Sequence, residues 1–173
     1  MKRENRWESC SRQTNREEVM EDIKTLIDQI SEEQKELVLK SFTNEEACAL
    51  GIEMYQKALR ENKPIVISIT KNRKQIFYAA LEGTSKNNED WVRRKENTVY
   101  DFEKSSYEMK LSMDLKQDDL WNRYGLEKGD YAQAGGSIPV FVSGTGMIGT
   151  VTVSGMAQSE DHAFVAEALK TLK

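Results

Sequence analysis

The sequence has little of several residue types on which common functional sites depend. It contains one histidine, two cysteines and two prolines among 173 residues. A single histidine excludes a His-rich zinc site or a two-His metalloprotease helix within one chain. Two cysteines, Cys10 and Cys48, cannot form a disulfide framework. No segment approaches the roughly 20 apolar residues of a membrane span, and no apolar signal region follows the basic start, so the sequence predicts a cytoplasmic protein.

The charge balance excludes two further classes of partner. There are 25 Lys and Arg against 29 Asp and Glu, which gives a net charge of −4. A well-mixed acidic chain is unsuited to a nucleic-acid surface or a polybasic membrane anchor. The length suits one globular domain, expected over 17–173. Residues 1–16 are polar apart from Trp7, and we interpret them as a flexible leader or, alternatively, as an arm that docks Trp7 on a neighbouring subunit.

Helical periodicity and capping signals predict most of the helices. Apolar residues at helical spacing indicate a helix from about Arg16 to Ile30, and a capping-box pattern at Ser31 predicts a second, short helix after it. A similar box at Thr43 opens the clearest helix, which ends near Asn62. A long helix is expected from Trp91 to Ser106. The pair Ser105-Ser106 suggests a break with a new N-cap, and a short helical patch over 118–124 is closed by Gly125.

The strands come in two pairs. Residues 65–69 and 75–81 flank a polar turn and predict one hairpin, and residues 138–142 and 148–153 predict another. Ser159 is expected to cap a final helix. This order lacks regular strand–helix alternation, so the sequence predicts an α+β protein with an antiparallel sheet.

Apart from one glycine run that we reject as a nucleotide site, three motifs carry candidate chemistry. The run from Gly144 to Gly149 matches the glycine pattern of dinucleotide-binding loops, but a strand follows it where a helix is required, so we interpret it as a hairpin turn. Gly135 and Gly136 directly precede a strand, which suits either close backbone approach to a ligand or a plain loop.

The single imidazole lies at a strand–loop–helix corner. His162 follows Asp161 near a helix start, a few residues after Ser154 and Gly155. A neutral imidazole there could bind a metal or haem iron or act as a base, whereas the structural alternative is a histidine that packs on the corner. Ser154 lacks the strained strand-to-helix turn of a hydrolase nucleophile.

The long helix offers an anion site as the third motif. Trp91 and Lys95 share one face and Arg94 lies beside them, so their side chains could hold a carboxylate. The alternative is a core tryptophan beside solvated basic residues.

Taken in order, these motifs form a series. It comprises Asn88 to Lys95, then Val99, Phe102, Ser105-Ser106, Gly135-Gly136-x-x-Pro139, Val153-Ser154-Gly155 and Asp161-His162. The series resembles the haem-degrading-domain family, in its uncharacterised branch of small proteins, over about residues 20–173. The resemblance implies a profilin-like three-layer α/β/α fold with a roughly five-stranded antiparallel sheet and assembly into symmetric homo-oligomers.

The same resemblance implies which positions form a ligand site. Relatives bind haem and iron, and some are linked to haem degradation. The matching polar or glycine positions are Trp91, Arg94, Lys95, Ser105, Ser106, Gly135, Gly136, Ser154, Gly155, Asp161 and His162. Of these, only His162 is a candidate metal or haem ligand.

Three function classes follow. The leading hypothesis is an oligomeric protein that binds an anionic small molecule, with haem the best-named candidate. Arg94 and Lys95 would hold carboxylates, the amides of Gly135 and Gly136 would approach the ligand, and His162 would face the metal. The alternatives are an enzyme of haem breakdown or related redox chemistry, and a scaffold protein without a small ligand.

Overall fold

Ten secondary-structure elements are seen in a computed structural model of the chain. It describes the backbone from Arg6 to Lys173 and the side chains from residue 16 onward. In chain order the elements are α1 (Arg6–Glu36), α2 (Asn44–Arg60), β1 (Val66–Lys71), β2 (Lys74–Ala80), α3 (Lys86–Phe102), α4 (Ser106–Lys116), α5 (Leu120–Tyr124), β3 (Ser137–Val142), β4 (Gly146–Ser154) and α6 (Gln158–Lys170).

The first helix differs from the sequence prediction at both ends. It begins at Arg6 rather than near Arg16, and it continues through Ser31 to Glu36. The predicted second short helix is therefore wrong: the capping-box pattern at Ser31 lies inside a continuous helix, because Ser and Glu are also tolerated at exposed helical positions. The flexibility of the leader and the docking of Trp7 lie outside the described side chains and stay predictions.

Local signals place the other boundaries more closely. Thr43 is the N-cap of α2, and its hydroxyl accepts from the Glu46 amide while the Glu46 carboxylate accepts from the Thr43 amide, as the capping box predicts. Ser105 is the N-cap of α4 and separates it from α3. Gly125, with φ +69°, ends α5.

The four described strands form an antiparallel sheet in the order β2-β1-β4-β3. Hairpins join β1 to β2 and β3 to β4, and the glycine-rich run at Gly144 and Gly146 is the turn of the second hairpin. The structure thus has four strands where roughly five were expected. The nearest feature to a fifth is one parallel bridge from Leu39 to Val142 beside β3.

The two faces of the sheet differ in chemistry. Alternate residues of the strands, including Ile67, Ile69, Val151 and Val153, join the main apolar core with α2 and α6. The residues between them carry hydroxyl groups and face α3: Ser68, Thr70, Ser137, Thr150, Thr152 and Ser154 are all buried. Because strand side chains alternate between faces, this pattern gives the sheet one apolar face and one face of hydrogen-bonding side chains.

The N-cap of the last helix lies two residues before the predicted one. Ala157, not Ser159, is the N-cap of α6, and the Glu160 carboxylate accepts from the Ala157 amide at 3.2 Å. The prediction failed because Ser159 has the right chemistry for a cap but already lies in the first helical turn. None of the described helices is long and apolar enough to cross a bilayer.

Candidate functional site

A small cleft lies where β4 ends and the first turns of α3 and α6 meet. Its volume is about 250 Å³. The lining residues are Asn87, Asn88, Trp91, Lys95, Ala134, Ser154, Gly155, Met156, Gln158 and Asp161. Five of the eleven sequence-predicted site residues are among them, so the structure brings together Trp91, Lys95, Ser154, Gly155 and Asp161.

A buried ion pair forms the floor of this cleft. The Lys95 ammonium donates to Asp161 Oδ2 at 2.8 Å and to the Val153 carbonyl at 3.0 Å. Asp161 Oδ1 accepts from the Met156 amide at 3.1 Å. Both side chains are nearly inaccessible to solvent. The pair therefore ties α3 to the start of α6 and to the end of β4.

Burial acts on both members of the pair. It lowers the pKa of Lys95 and raises that of Asp161, because each charged form loses hydration. The contact between the two charges opposes both shifts. At 2.8 Å and with further hydrogen bonds to the backbone, the opposite charges stabilise each other, and we describe the pair as ionised at neutral pH.

Two glycines make room for this arrangement. Gly136 has φ +125°, and a Cβ there would lie 2.6 Å from the Lys95 ammonium nitrogen and 2.9 Å from Asp161 Cβ. Gly155 packs so closely on the chain before β1 that a Cβ would lie 2.2 Å from the Pro64 carbonyl oxygen. Gly136 is therefore a neighbour of the ion pair.

Arg94, the second basic residue of the predicted anion site, makes different contacts. The Arg94 guanidinium lies 4.0 Å from the centroid of the Trp91 ring, in a cation–π contact, and its Nε donates to the Asp90 carbonyl. Arg94 thus covers Trp91 at the edge of the cleft. The predicted anion site of Arg94 with Lys95 is not formed as a pair, because Lys95 points inward to Asp161.

Three further predicted residues serve local structure. The Ser105 hydroxyl accepts from the Glu108 amide as a cap, and the Ser106 hydroxyl accepts from the Ser137 amide at 3.0 Å, which attaches α4 to β3. The Gly135 amide donates to the Gln158 side chain at 3.3 Å. None of the three lines the cleft.

His162 faces a different cavity from Asp161. It lines a groove of about 470 Å³ between α1, α4 and α6. The other lining residues are Leu26, Gln29, Ile30, Glu33, Tyr107, Ser159, Ala163, Ala166, Glu167 and Lys170. Consecutive residues of a helix are turned by about 100°, so Asp161 and His162 necessarily point to different sides of α6.

The imidazole is buried and lacks hydrogen-bond partners. Its side chain is 8% exposed, and neither ring nitrogen has a partner among the described residues. Its Nε2 lies 3.8 Å from Glu33 Oε2, and Glu33 is itself paired with Lys170. Burial lowers the pKa of His162 to about 4, against an opposing effect of Glu33. His162 is therefore neutral at physiological pH and keeps a free acceptor nitrogen.

Sequence reasoning missed a carboxyl group under α3. Glu96 accepts from the Ser68 hydroxyl at 2.7 Å, and burial raises its pKa to about 7. The hydroxyl face of the sheet carries two further hydrogen bonds between neighbouring strands. One joins the hydroxyls of Thr70 and Thr150 and the other those of Ser137 and Thr152, each at 2.7 Å. The alternation of hydroxyl residues in β1 and β4 was the available signal. It was unused because alternating polar residues normally indicate a solvent-facing side.

Glu33 and Lys170 were also missed. Each lies on a helix face whose sequence reads as an ordinary solvated surface. Only the fold, which places α1 and α6 on either side of the groove, brings Glu33 close to His162 and Lys170. Among the described residues, no group of three or more His, Cys, Asp and Glu side chains could hold a metal ion.

The fold and the site define a class of mixed α/β proteins that have a four-stranded antiparallel sheet and a cleft at the first turn of the last helix. Residues 42–170 match the family model described as haem degrading protein HbpS-like. A UPF0303 protein of Sinorhizobium medicae is 43% identical over 143 residues, which cover 83% of this chain and 87% of the relative. The chain therefore belongs to the HbpS-like family.

Solved structures agree with this fold. The Ybr137w protein has a TM-score of 0.77 at 22% identity, with 85% of this chain and 90% of that chain covered. A PduOC:heme complex has a TM-score of 0.62 at 17% identity, with 77% and 94% covered. At these identities the likeness concerns the fold alone.

Proposed function

We propose that this protein binds haem or a closely related tetrapyrrole in the groove of His162. The observation that carries the proposal is the imidazole itself: a buried, neutral side chain with two unpaired nitrogens beside a cavity. An unpaired buried polar group costs about 1–3 kcal/mol, so its persistence is most simply explained by a ligand. The family's description as haem degrading and the haem in the PduOC complex support the choice of ligand.

The groove has the chemistry that such a ligand needs. Leu26, Ile30 and Ala166 offer apolar walls, and the ring of Tyr107 lies 5.2 Å from the His162 ring, measured between centroids. A volume of about 470 Å³ lies within the range of about 300–1,000 Å³ of small-molecule sites. The cleft at Lys95, at about 250 Å³, lies below that range. Haem is therefore assigned to the groove rather than to the cleft.

The chain's own residues have distinct parts in this proposal. His162 would supply a neutral nitrogen to the iron, and the half-exposed Lys170 would attract a ligand carboxylate while remaining close to Glu33. Glu33, near the imidazole, would accept a hydrogen bond from the second ring nitrogen after a small movement and so fix its orientation. Bound haem would supply an iron centre capable of electron transfer and oxygen chemistry.

Hemin titration tests the proposal directly. Because the chain has one histidine, any imidazole ligation by the protein must come from His162, provided that the protein carries no histidine tag. We expect a saturable Soret shift in the wild type and its loss in His162→Gln. Lys170→Gln is the matched control, since it keeps the imidazole: its Soret position should match the wild type, with affinity reduced a few-fold.

Two results would contradict the haem assignment. One is the absence of a saturable Soret shift, and the other is an unchanged spectrum in His162→Gln. If haem binds, loss of its spectrum over time with a reductant, absent from boiled protein, would identify the alternative of an enzyme of haem breakdown. A stoichiometric protein partner together with no haem binding would favour a scaffold.

We also propose that the protein is a homo-oligomer. A stripe of exposed apolar side chains, Ile52, Tyr55 and Leu59, runs along α2 and supports this proposal. Lys57, which contacts Glu167 of α6, is on the other side of α2, so the stripe faces away from α6. The profilin-like comparison and the cytoplasmic location stay predictions.

A further inference from the structure

We propose that the cleft between the first turns of α3 and α6 is a second site, which binds the phosphate or carboxylate group of a small molecule. The site is separate from the His162 groove and does not depend on haem. It combines two helix N-termini, an unused hydroxyl and a buried ammonium group in a space of about 250 Å³.

The two helix N-termini supply the positive field. Asn87 and Asn88 belong to the first turn of α3, and Gln158 is the first residue of α6; all three line the cleft. Amide groups at a helix N-terminus lack intrahelical acceptors and carry part of the helix dipole, so they attract anions. Two such ends opening on one cleft reinforce each other.

Neither helix satisfies these amides with a side-chain cap. Ala157, the N-cap of α6, has no acceptor in its side chain. Ser85, the N-cap of α3, makes no side-chain hydrogen bond to the helix amides; its hydroxyl and its own amide both donate to Asn88 Oδ1. The Asn88 amide donates to the Ser85 carbonyl at 2.9 Å, and the remaining first-turn amides of the two helices, those of Asn87 and Gln158 among them, are left available to an anion.

Ser154 is the second, independent indication of a ligand. Its side chain lines the cleft in a residue that is only 5% exposed, yet its hydroxyl has no hydrogen-bond partner in the part of the chain that the structure describes. The other buried hydroxyls of this sheet face have partners at 2.6–2.7 Å; they are those of Ser68, Thr70, Ser137, Thr150 and Thr152. A hydroxyl kept unpaired beside two helix ends is the donor that an oxyanion would use.

The ion pair sets the charge of the floor. Asp161 brings a negative charge to the cleft, but its Oδ2 is neutralised by Lys95 and its Oδ1 is held by the Met156 amide. Lys95 uses two of its three N–H groups on Asp161 and Val153. The pair therefore adds no net charge, and the helix ends determine the preference for an anion.

The experiment adds a competing carboxylate without disturbing the fold. Ala157→Asp places the usual capping side chain at the start of α6, where it would occupy the free amides. In ¹⁵N-labelled protein titrated with inorganic phosphate, and separately with acetate, at constant ionic strength, we expect saturable shifts of the Gln158 and Asn87 amides in the wild type. Binding should weaken at least tenfold in Ala157→Asp while its melting temperature rises.

Two further variants complete the test. Ala157→Gly removes no acceptor and adds none, so it should bind phosphate as the wild type does. Ser154→Ala should weaken binding several-fold, whereas Ser143→Ala, in the exposed turn before β4, should not.

Saturation by phosphate alone would assign a phosphate site, and saturation by acetate alone a carboxylate site. The proposal is overturned if neither anion gives saturable shifts, or if Ala157→Asp binds as well as Ala157→Gly. Hemin titration of the same variants should be unchanged, which separates this outcome from that of the haem proposal.

Discussion

Lys95 and Asp161 are the two residues on which the cleft depends most directly. We expect Asp161→Asn to lower the free energy of unfolding by about 3–5 kcal/mol, because it leaves a buried ammonium group without its counter-charge. Combining it with Lys95→Met should recover a large part of this loss, since the double variant buries no unpaired charge. Urea denaturation of the two single variants and the double variant measures the coupling. A loss below about 1 kcal/mol in Asp161→Asn would contradict an ionised pair.

Two buried residues make opposite contributions to the pH dependence of stability. Unfolded His162 takes up a proton below its ordinary pKa of 6.5, whereas folded His162 resists until about 4, so stability falls as the pH drops through that window. Folded Glu96 stays protonated up to about 7, whereas the unfolded carboxyl ionises near 4.5, so its contribution falls as the pH rises from 4.5 to 7. Between pH 4.5 and 6.5 the two contributions cancel.

Single substitutions should therefore reveal slopes that the wild type hides. Relative to the wild type, Glu96→Gln should make stability rise with pH between 4.5 and 6.5, by up to about 1.4 kcal/mol per pH unit. His162→Gln should make it fall over the same interval, by a similar amount. Chemical denaturation at several pH values gives the differences, and equal slopes in all three proteins would refute the assignment of these two groups. Glu33 and Lys170 face His162, so both should be left unchanged in this series.

At the scale of elements, the sequence predicts best where one short segment decides the outcome. The Thr43 capping box, the turn at Asn72 and Arg73, and the cap at Ser105 are all local, and the structure has each where it was expected. Positive φ angles of 51° and 61° at Asn72 and Arg73 match the right-handed twist of a tight hairpin. Such features need no distant contact to form.

Predictions of element boundaries are wrong where the same local pattern is compatible with two structures. A serine followed by acidic residues suits an N-cap, but it also suits an exposed helical turn, and only packing decides between them. Ser31 lies within α1, near buried Ile30, and Ser159 lies one residue inside α6. The expectation of roughly five strands has a different origin, because it came from the family resemblance and not from a local signal; the described residues form four strands and one further bridge, from Leu39 to Val142.

Sequence is likewise limited in predicting which residues share a pocket. The structure places Ser154 and Asp161 at one corner, and Lys95 and Trp91 line the same cleft. His162 was assigned to that corner because it is adjacent in sequence, but the helix turns it into a separate groove with Glu33. Neighbours in sequence are thus poor evidence for a shared pocket on a helix, whereas residues three or four apart share a face.

For the molecule as a whole, the two cavities lie on different sides of α6, and they are lined by different chemical groups. The groove offers apolar walls and an imidazole, and the cleft offers backbone amides, a hydroxyl and an ion pair. Neither set of side chains involves the exposed stripe on α2. That surface is therefore free for association without loss of either site.

Association through α2 leads to a prediction about the oligomeric state. Ile52 and Leu59 are 47% and 50% exposed, and burying them between two copies would remove apolar area from water on both sides of a two-fold interface. We expect light scattering to find an oligomer in the wild type and a shift to smaller species in Ile52→Glu or Leu59→Glu. Thr145→Glu is the matched control, since it adds the same charge at an exposed position in the turn between β3 and β4, outside α2. Circular dichroism should show all three variants folded, so that smaller species reflect a lost interface. A monomeric wild type, or variants that assemble as the wild type does, would exclude this stripe as the interface, because a carboxylate buried in an apolar contact should not be tolerated.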